Sequence, residues 1–300
     1  MNNKNNLQID TQNTLIYISQ VVHLSTSDIT DITIIKKGMT NRSFYFQCHG
    51  KKYIMRIPGD GTDKLINRRE EAAVYDAIAG KNLSDKVLYI NPENGYKITE
   101  FYRDARVCNA DDWDDVTQCM KRLKEFHDMK LSVAHEFDLY KQIEFYESLW
   151  GEKLSYYEDY KNTKSNVFSL KQYIDNHKAE YCLTHIDAVP DNFLILADGS
   201  IKLIDWEYAA MQDPHVDIAM FAIYAFYSKE QVDKLIDIYF KGTCTNEIRI
   251  KIYCYIAVCG LLWSNWCEYK EKLGIAFGNY AFRQYQYAKD YFEIVKQELS

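Results

Sequence analysis

The chain has 300 residues, 47% of them apolar and 26% charged, which is the balance of a soluble enzyme large enough for one big domain or two smaller ones, each with its own core. A net charge of −7 without a basic stripe argues against nucleic acid as a partner. The longest apolar run, residues 252–263, is too short for a bilayer and is broken by Tyr253 and Tyr255, so no membrane partner is expected. Eight cysteines form no C-x-x-C pair and fall mostly in apolar stretches, and MNNKNNLQID at the N-terminus has no apolar core of the signal-peptide type; both favour a reducing, cytoplasmic setting.

Along the chain, residues 31–37, 43–48 and 52–57 alternate or carry β-branched side chains as strands do, with HisGlyLys at 49–51 as the turn between the second and third. An Ala- and Glu-rich helix is expected over 64–79, then strands over 87–90 and 96–101 around the turn residues AsnProGluAsnGly. After residue 110 the pattern turns helical, with helices expected over 112–128, 139–149, 168–177, 216–227, 229–240, 247–270 and 277–297. One β-rich island interrupts them, 193–197 and 201–204, joined by an Asp-Gly turn, a strong hairpin signal. The expected class is α+β, with a small antiparallel-sheet lobe over 1–101 and a mostly helical lobe over 102–300.

The chemistry concentrates around the hairpin. His185-Ile186-Asp187 is followed by Asn192, and after the hairpin comes Ile204-Asp205-Trp206-Glu207. Phosphoryl transfer from ATP needs a carboxylate to orient or deprotonate the attacking hydroxyl and oxygen ligands for magnesium, and these segments hold both kinds of group. In the β-rich part, Gly38-Met39-Thr40-Asn41-Arg42-Ser43 joins two strands with amides and small side chains suited to phosphates. Arg56 stands among apolar residues of the third strand, and a half-buried cation there requires an anion: ATP phosphate, or a carboxylate on the next helix, Glu71 or alternatively Glu70. Asp217 falls in the first turn of a helix opened by Asp213-Pro214, an ordinary place for an acid. Trp263 and Trp266 lie at i and i+3 on one helix face. Such a pair suits either a core or the cation–π recognition of a quaternary ammonium, which has no hydrogen to donate.

The pattern H-x-D-x-x-x-x-N, a hairpin, then I-D-x-E resembles the aminoglycoside-phosphotransferase and choline-kinase superfamily, and protein kinases more distantly. GlyMetThrAsn at 38–41, ArgIlePro-Gly at 56–59 and IleAsnArgArgGluGlu at 66–71 look like bacterial choline kinases in particular. The resemblance covers essentially the full chain. It implies a two-lobed protein-kinase-like fold, ATP as co-substrate and Mg2+ as cofactor. Asp187 becomes the catalytic base, and Asn192 and Asp205 become metal ligands assisted by Glu207. His185 and Asp217 support the catalytic loop. Gly38, Thr40, Asn41, Arg56 and Glu71 serve the ATP phosphates, and Glu100 to Tyr102 form the hinge whose backbone meets adenine.

For the acceptor, the resemblance matches Trp263 and Trp266 to an aromatic cage for choline. Tyr224 or Tyr227 would form another wall, and Tyr280, Tyr285 or Tyr287 would complete it. Some choline kinases carry a carboxylate on the helix after the metal site; Phe221-Ala222-Ile223-Tyr224 has none. Choline is therefore the expected acceptor, with ethanolamine or an aminoglycoside-, thiamine- or methylthioribose-like compound as alternatives. A nucleotide-binding pseudokinase scaffold is disfavoured by the intact Arg56, Asp187, Asn192 and Asp205. A protein kinase is disfavoured because neither D-F-G nor A-P-E follows Asp205.

Overall fold

The computed structural model describes residues 2–23, 25–37, 41–59, 62–151 and 154–300. Gly38 and Thr40, expected at the ATP phosphates, lie outside them. The chain begins with α1 (Asn2–Val22), β1 (Ile29–Lys37), β2 (Asn41–Cys48), β3 (Lys51–Pro58), α2 (Arg68–Ile78), β4 (Val87–Ile90) and β5 (Lys97–Glu100). It continues with β6 (Arg106–Val107), α3 (Trp113–Asp128), α4 (Leu139–Ser148), α5 (Tyr160–Ser169), α6 (Lys171–His177) and β7 (Cys182–Thr184). Then come β8 (Phe193–Ile195), β9 (Ile201–Leu203), β10 (Ala210–Gln212), α7 (His215–Tyr224), α8 (Lys229–Phe240), α9 (Asn246–Lys272) and α10 (Asn279–Glu298). Two compact units result: Met1–Arg106 with Ile195–Glu207, and Val107–Leu194 with Tyr208–Ser300.

The first unit is built on an antiparallel sheet in the order β1-β2-β3-β5-β4. Alternation sends Phe44, Phe46, Cys48, Met55, Ile57 and Ile98 to one face, where Ile18 of α1 joins them in a single apolar cluster. The sequence reading contains no α1: its first half, NNKNNLQIDT, is polar and shows no 3.6-residue apolar period. On β3, Arg56 points the other way, opposite Ser43 on β2 and Lys97 on β5. The expected helix over 64–79 starts late, at Arg68, because the Asn67 side chain caps it by accepting from the Arg69 and Glu70 amides. The segment 195–207 is tied into this unit by the Leu203 amide donating to the Leu83 carbonyl at 2.9 Å, and by the Trp206 indole donating to the Leu203 carbonyl at 2.8 Å.

The second unit is organised around α9, buried from Ile250 to Lys270. Helices α4, α5, α6, α7 and α10 pack against it. Among the described residues it is the one helix long and apolar enough to cross a membrane, yet here it is the core helix, as the sequence reading of its apolar run expects. Its Lys251 is fully buried and neutralised by an equally buried Asp213 at 2.6 Å. The expected helix over 168–177 is two helices, α5 and α6, meeting at Leu170. The first begins at Tyr160, in a run (KNTKSN) whose polar composition hides the buried Tyr160, Thr163 and Val167. Strands β7 and β10, antiparallel with Leu183 opposite Met211, are three residues each and too short for a periodic signal.

Helices α9 and α10 approach closely at Gly260. A Cβ there would stand 2.7 Å from the Gln284 carbonyl oxygen and 3.0 Å from the Ala288 nitrogen, both backbone atoms of α10. Gly260→Ala therefore has to push two helices apart, and a loss of about 1–3 kcal/mol is expected. Thermal unfolding checks it: a melting temperature equal to that of the parent protein would show that the two helices separate without cost.

Candidate active site

The first unit holds a buried ionic cluster centred on Arg56. Its guanidinium donates to the Glu71 carboxylate, to Asp205 Oδ1 at 3.2 Å and to the Gly95 carbonyl at 3.3 Å. Glu71, and not the exposed Glu70, is the partner. Arg68 bridges Glu71 Oε2 at 3.0 Å and Glu207 Oε2 at 3.1 Å, and donates to the Thr62 hydroxyl at 3.1 Å. Lys97 stands 3.9 Å from Glu71 and contacts the Tyr75 hydroxyl. Gly95 leaves the room that Arg68 occupies: with φ at +69°, an added Cβ would come within 2.4 Å of the Arg68 side chain.

Electrostatics follow from burial and charge. Burial drives the Glu71 carboxyl up, but Arg56, Lys97 and Arg68 together outweigh it and hold the carboxyl below its usual range. Burial pushes the Lys97 ammonium down, assisted by the Arg56 charge across the sheet. Burial and the neighbouring Asp205 push the Glu207 carboxyl up against the pull of Arg56. Asp205 has φ at +65°, a left-handed conformation a non-glycine residue rarely adopts, and its side chain keeps 36% exposure within this cluster.

Asn41 was expected on phosphate, but its amide donates to Glu207 Oε2 at 3.0 Å. That same oxygen takes Arg68 and, at 3.5 Å, Arg56. Glu207 therefore works as the anion of the arginine cluster, and Asp205 is the more exposed of the two carboxylates. In the expected hinge, the Glu100 amide donates to the Lys86 carbonyl and the Phe101 amide to the Lys52 carbonyl, while the Tyr102 hydroxyl accepts from the Lys86 amide. Any adenine contact from this segment has to use its other backbone groups.

In the second unit, the backbone at His185 and Ile186 is braced by Asp217. Its Oδ1 accepts the Ile186 amide at 2.7 Å, and its Oδ2 accepts the His185 amide at 2.9 Å and faces His127 Nε2 at 2.9 Å. His127 Nδ1 in turn meets the Tyr239 hydroxyl at 2.7 Å. Ile186 has φ at +67°, a strained state for a β-branched residue that costs about 1–3 kcal/mol. The two amide bonds to a buried carboxylate hold it there. Beyond the turn, the Asn192 side-chain amide donates to the Asp187 carbonyl at 2.8 Å and to its Oδ2 at 3.0 Å, so the Asp187 carboxylate is oriented by its own loop. His185 is fully buried beneath it.

The aromatic residues form one chain of ring contacts. Tyr208 meets Trp263 edge-on, Trp263 meets Trp266 at 5.3 Å, and Phe277 links Trp266 to Tyr280. Tyr280 also packs edge-on against Tyr224 and Phe226. Burial chiefly raises both phenols, with the hydrogen bond to Asp191 and its charge adding to it at Tyr224, and the Cys267 and then the Asp187 charges at Tyr280. Both indoles are largely buried, Trp263 at 7% and Trp266 at 4% exposure, so they are the floor of this wall. The other candidates are committed elsewhere: the Tyr285 hydroxyl to Asp159 and Thr163, the Tyr287 hydroxyl to the Tyr227 carbonyl, and the Tyr227 hydroxyl to the Ala110 carbonyl. Sequence reasoning missed Arg68, Lys97, His127 and Asp191, the last receiving the Tyr224 hydroxyl at 2.6 Å. A cation beside apolar Ile98 in a strand, and an arginine three residues before Glu71 on a helix, were the available signals for Lys97 and Arg68.

Among the described residues no three His, Cys, Asp or Glu side chains group as a protein-only metal cage. In the first unit Asp205 offers a half-exposed carboxylate oxygen, and in the second Asn192 turns its side-chain nitrogen to Asp187. A half-exposed carboxylate of this kind suits a hard cation that takes most of its ligands from phosphate and water.

Comparison with known proteins matches residues 32–251 to the choline/ethanolamine kinase family model. Protein LicA of Haemophilus influenzae is 29% identical over 263 residues, covering 82% of this chain and 96% of that one. The crystal structure of choline kinase LicA from Streptococcus pneumoniae superposes with a TM-score of 0.82 at 27% identity, over 94% of this chain and 98% of that one. A LicA structure in complex with AMP gives 0.80, at the same identity and coverage. The fold is thus the two-lobed protein-kinase-like fold, as the sequence implies.

The brace carries a prediction. In Asp217→Asn an amide nitrogen has to face one of the backbone N–H groups or the imidazole that the carboxylate now serves, leaving a buried donor unmet at a cost of about 3 kcal/mol. Hydrogen exchange at the 185 and 186 amides is expected to accelerate well beyond that of α9. Unchanged protection of those two amides would remove Asp217 from the bracing role.

Proposed function

This chain belongs to the choline/ethanolamine kinase family, and on that premise we propose that its acceptor is choline, that Asp187 is the base that receives the choline hydroxyl proton, and that Asn192 and Asp205 hold magnesium. It is an ATP-dependent phosphotransferase acting on a small alcohol. The observation that carries choline over other acceptors is the continuous aromatic wall ending in Tyr280 and Tyr224, the Tyr224 hydroxyl donating to Asp191 of the loop that holds Asp187. A quaternary ammonium offers no hydrogen-bond donor, so ring faces are the partners it can use.

The second unit positions the acceptor: the wall takes the cationic head, and Asp187, fixed by Asn192 and by the Asp217 brace behind its loop, orients the hydroxyl and removes its proton as the phosphoryl group arrives. The first unit serves the nucleotide, with Arg56 as the cation for its phosphates and Glu71 holding that cation in place. Magnesium, when bound, supplies positive charge against the phosphate oxygens. The eight cysteines are all free thiols, which supports a cytoplasmic site of action.

Asp187→Ala is expected to lower kcat by roughly 10²–10⁴-fold while ATP still binds. Steady-state ADP release together with nucleotide titration checks this, and activity within about threefold of the parent would dismiss Asp187 as the base.

A panel of acceptors tests the wall. Choline is expected to exceed ethanolamine in kcat/KM, because a methylated cation sheds less hydration on reaching the rings. Trp266→Ala is expected to weaken choline by roughly 0.5–2 kcal/mol in KM, with a smaller effect on ATP. Because the indole is buried, it also costs about 3–5 kcal/mol of stability, so both KM values are to be read at a temperature where the variant is folded. Preference for ethanolamine, or equal losses for choline and ATP, would refute the wall as the choline site.

A further inference from the structure

We propose that Asp191 is the specificity residue through which this kinase reads the positive charge of its acceptor. The inference rests on the choline reading above and adds to it a residue that the wall itself does not contain.

The last turn of α7, where Phe221, Ala222, Ile223 and Tyr224 follow one another, brings no acid to the aromatic chain. Ring faces attract a cation but also accept a neutral group of the same shape, since much of their contribution is apolar contact. Discrimination by charge needs an anion, and the structure brings one from a different element. Asp191 sits in the 3-10 turn Pro190–Asn192, one residue before Asn192 and four after Asp187. Its carboxylate is exposed. Its Oδ2 accepts the Tyr224 hydroxyl at 2.6 Å, a hydrogen bond that turns the acid toward the ring which packs edge-on against Tyr280. A phenol orients a carboxylate without cancelling its charge, as an arginine or lysine would.

Burial first, then the hydrogen bond to Asp191 and its charge, and last the charge of Asp187 raise the Tyr224 phenol. Asp187 serves the hydroxyl end of the acceptor and Asp191 its cationic end. The chain's own cations occupy other rings of the wall: Lys270 stands 5.6 Å from the Trp266 centroid and Arg283 4.7 Å from that of Phe226. Tyr224 and Tyr280 are thus the rings paired with the acid.

The test compares choline with 3,3-dimethylbutan-1-ol, which has the same shape and no charge, in the full-length protein with ATP and magnesium. In Asp191→Asn the ratio of kcat/KM for choline to that for the neutral alcohol is expected to fall about tenfold, the loss of one partly screened charge pair. Asp191→Glu should recover part of the ratio. Tyr224→Phe, which keeps the ring and removes the donor, should lower it less than Asp191→Asn does. An unchanged ratio in Asp191→Asn, with both acceptors weakened alike, would assign Asp191 a merely structural role and overturn the inference while leaving the choline reading intact. Failure of the parent protein to phosphorylate choline would overturn that reading, and this inference with it. Melting temperatures of all variants accompany the kinetics, so that loss of fold is not taken for loss of recognition.

Discussion

A guanidinium in the middle of a sheet stays charged only if anions surround it, and Arg56 imposes that condition on the whole first unit. Glu71 answers it from α2, but Glu71 is buried as well and draws Lys97 and Arg68 to itself. Three cations then face one carboxylate, and the balance is restored by the returning segment, which brings Asp205 and Glu207. The hairpin between the two chemical motifs thus has an electrostatic reason to return to the sheet. The least buried acid in the cluster is Asp205, held by a single contact to Arg56 at 3.2 Å and by a strained backbone.

The second unit obeys the same rule with hydrogen bonds in place of ion pairs. Asp213 and Asp217 flank the start of α7, where the helix dipole favours acids. Asp213 accepts the Ala179 and His215 amides and neutralises Lys251 of the core helix. Asp217 accepts the two amides at the strained Ile186. One helix start therefore connects the core of the unit to the loop that carries Asp187. The positions of Asp187 and Asn192 depend on packing far from them.

These constraints explain what the sequence revealed and what it hid. The span 229–240 was legible because Ser228 and Gln231 form a capping box at its start. The span 87–90 was legible because β-branched and aromatic residues run between turn signals. The Arg56 pairing was legible because a lone cation in an apolar strand has few partners to choose from. α1 and α5 were hidden because their helicity comes from tertiary burial of a few residues within polar runs. Asp191 was hidden because its partner is 33 residues away, and nothing in the loop announces that Tyr224 will reach it. The choice among Tyr280, Tyr285 and Tyr287 was unreadable for a similar reason: all three lie on α10, and only their tertiary partners separate the wall from the scaffold.

The two halves of the chemistry also differ in how freely they can change. In the ionic cluster Glu71 is shared by Arg56, Arg68 and Lys97, and Glu207 Oε2 by Asn41, Arg68 and Arg56. Removing one member leaves a buried charge unmet, so single substitutions there are strongly coupled and costly. The aromatic wall is a chain of pairwise ring contacts, each worth about 0.5–1.5 kcal/mol beyond its buried area. One ring can be exchanged without stranding a charge. The ionic cluster is therefore held fixed by mutual dependence, while the aromatic chain tolerates piecemeal change.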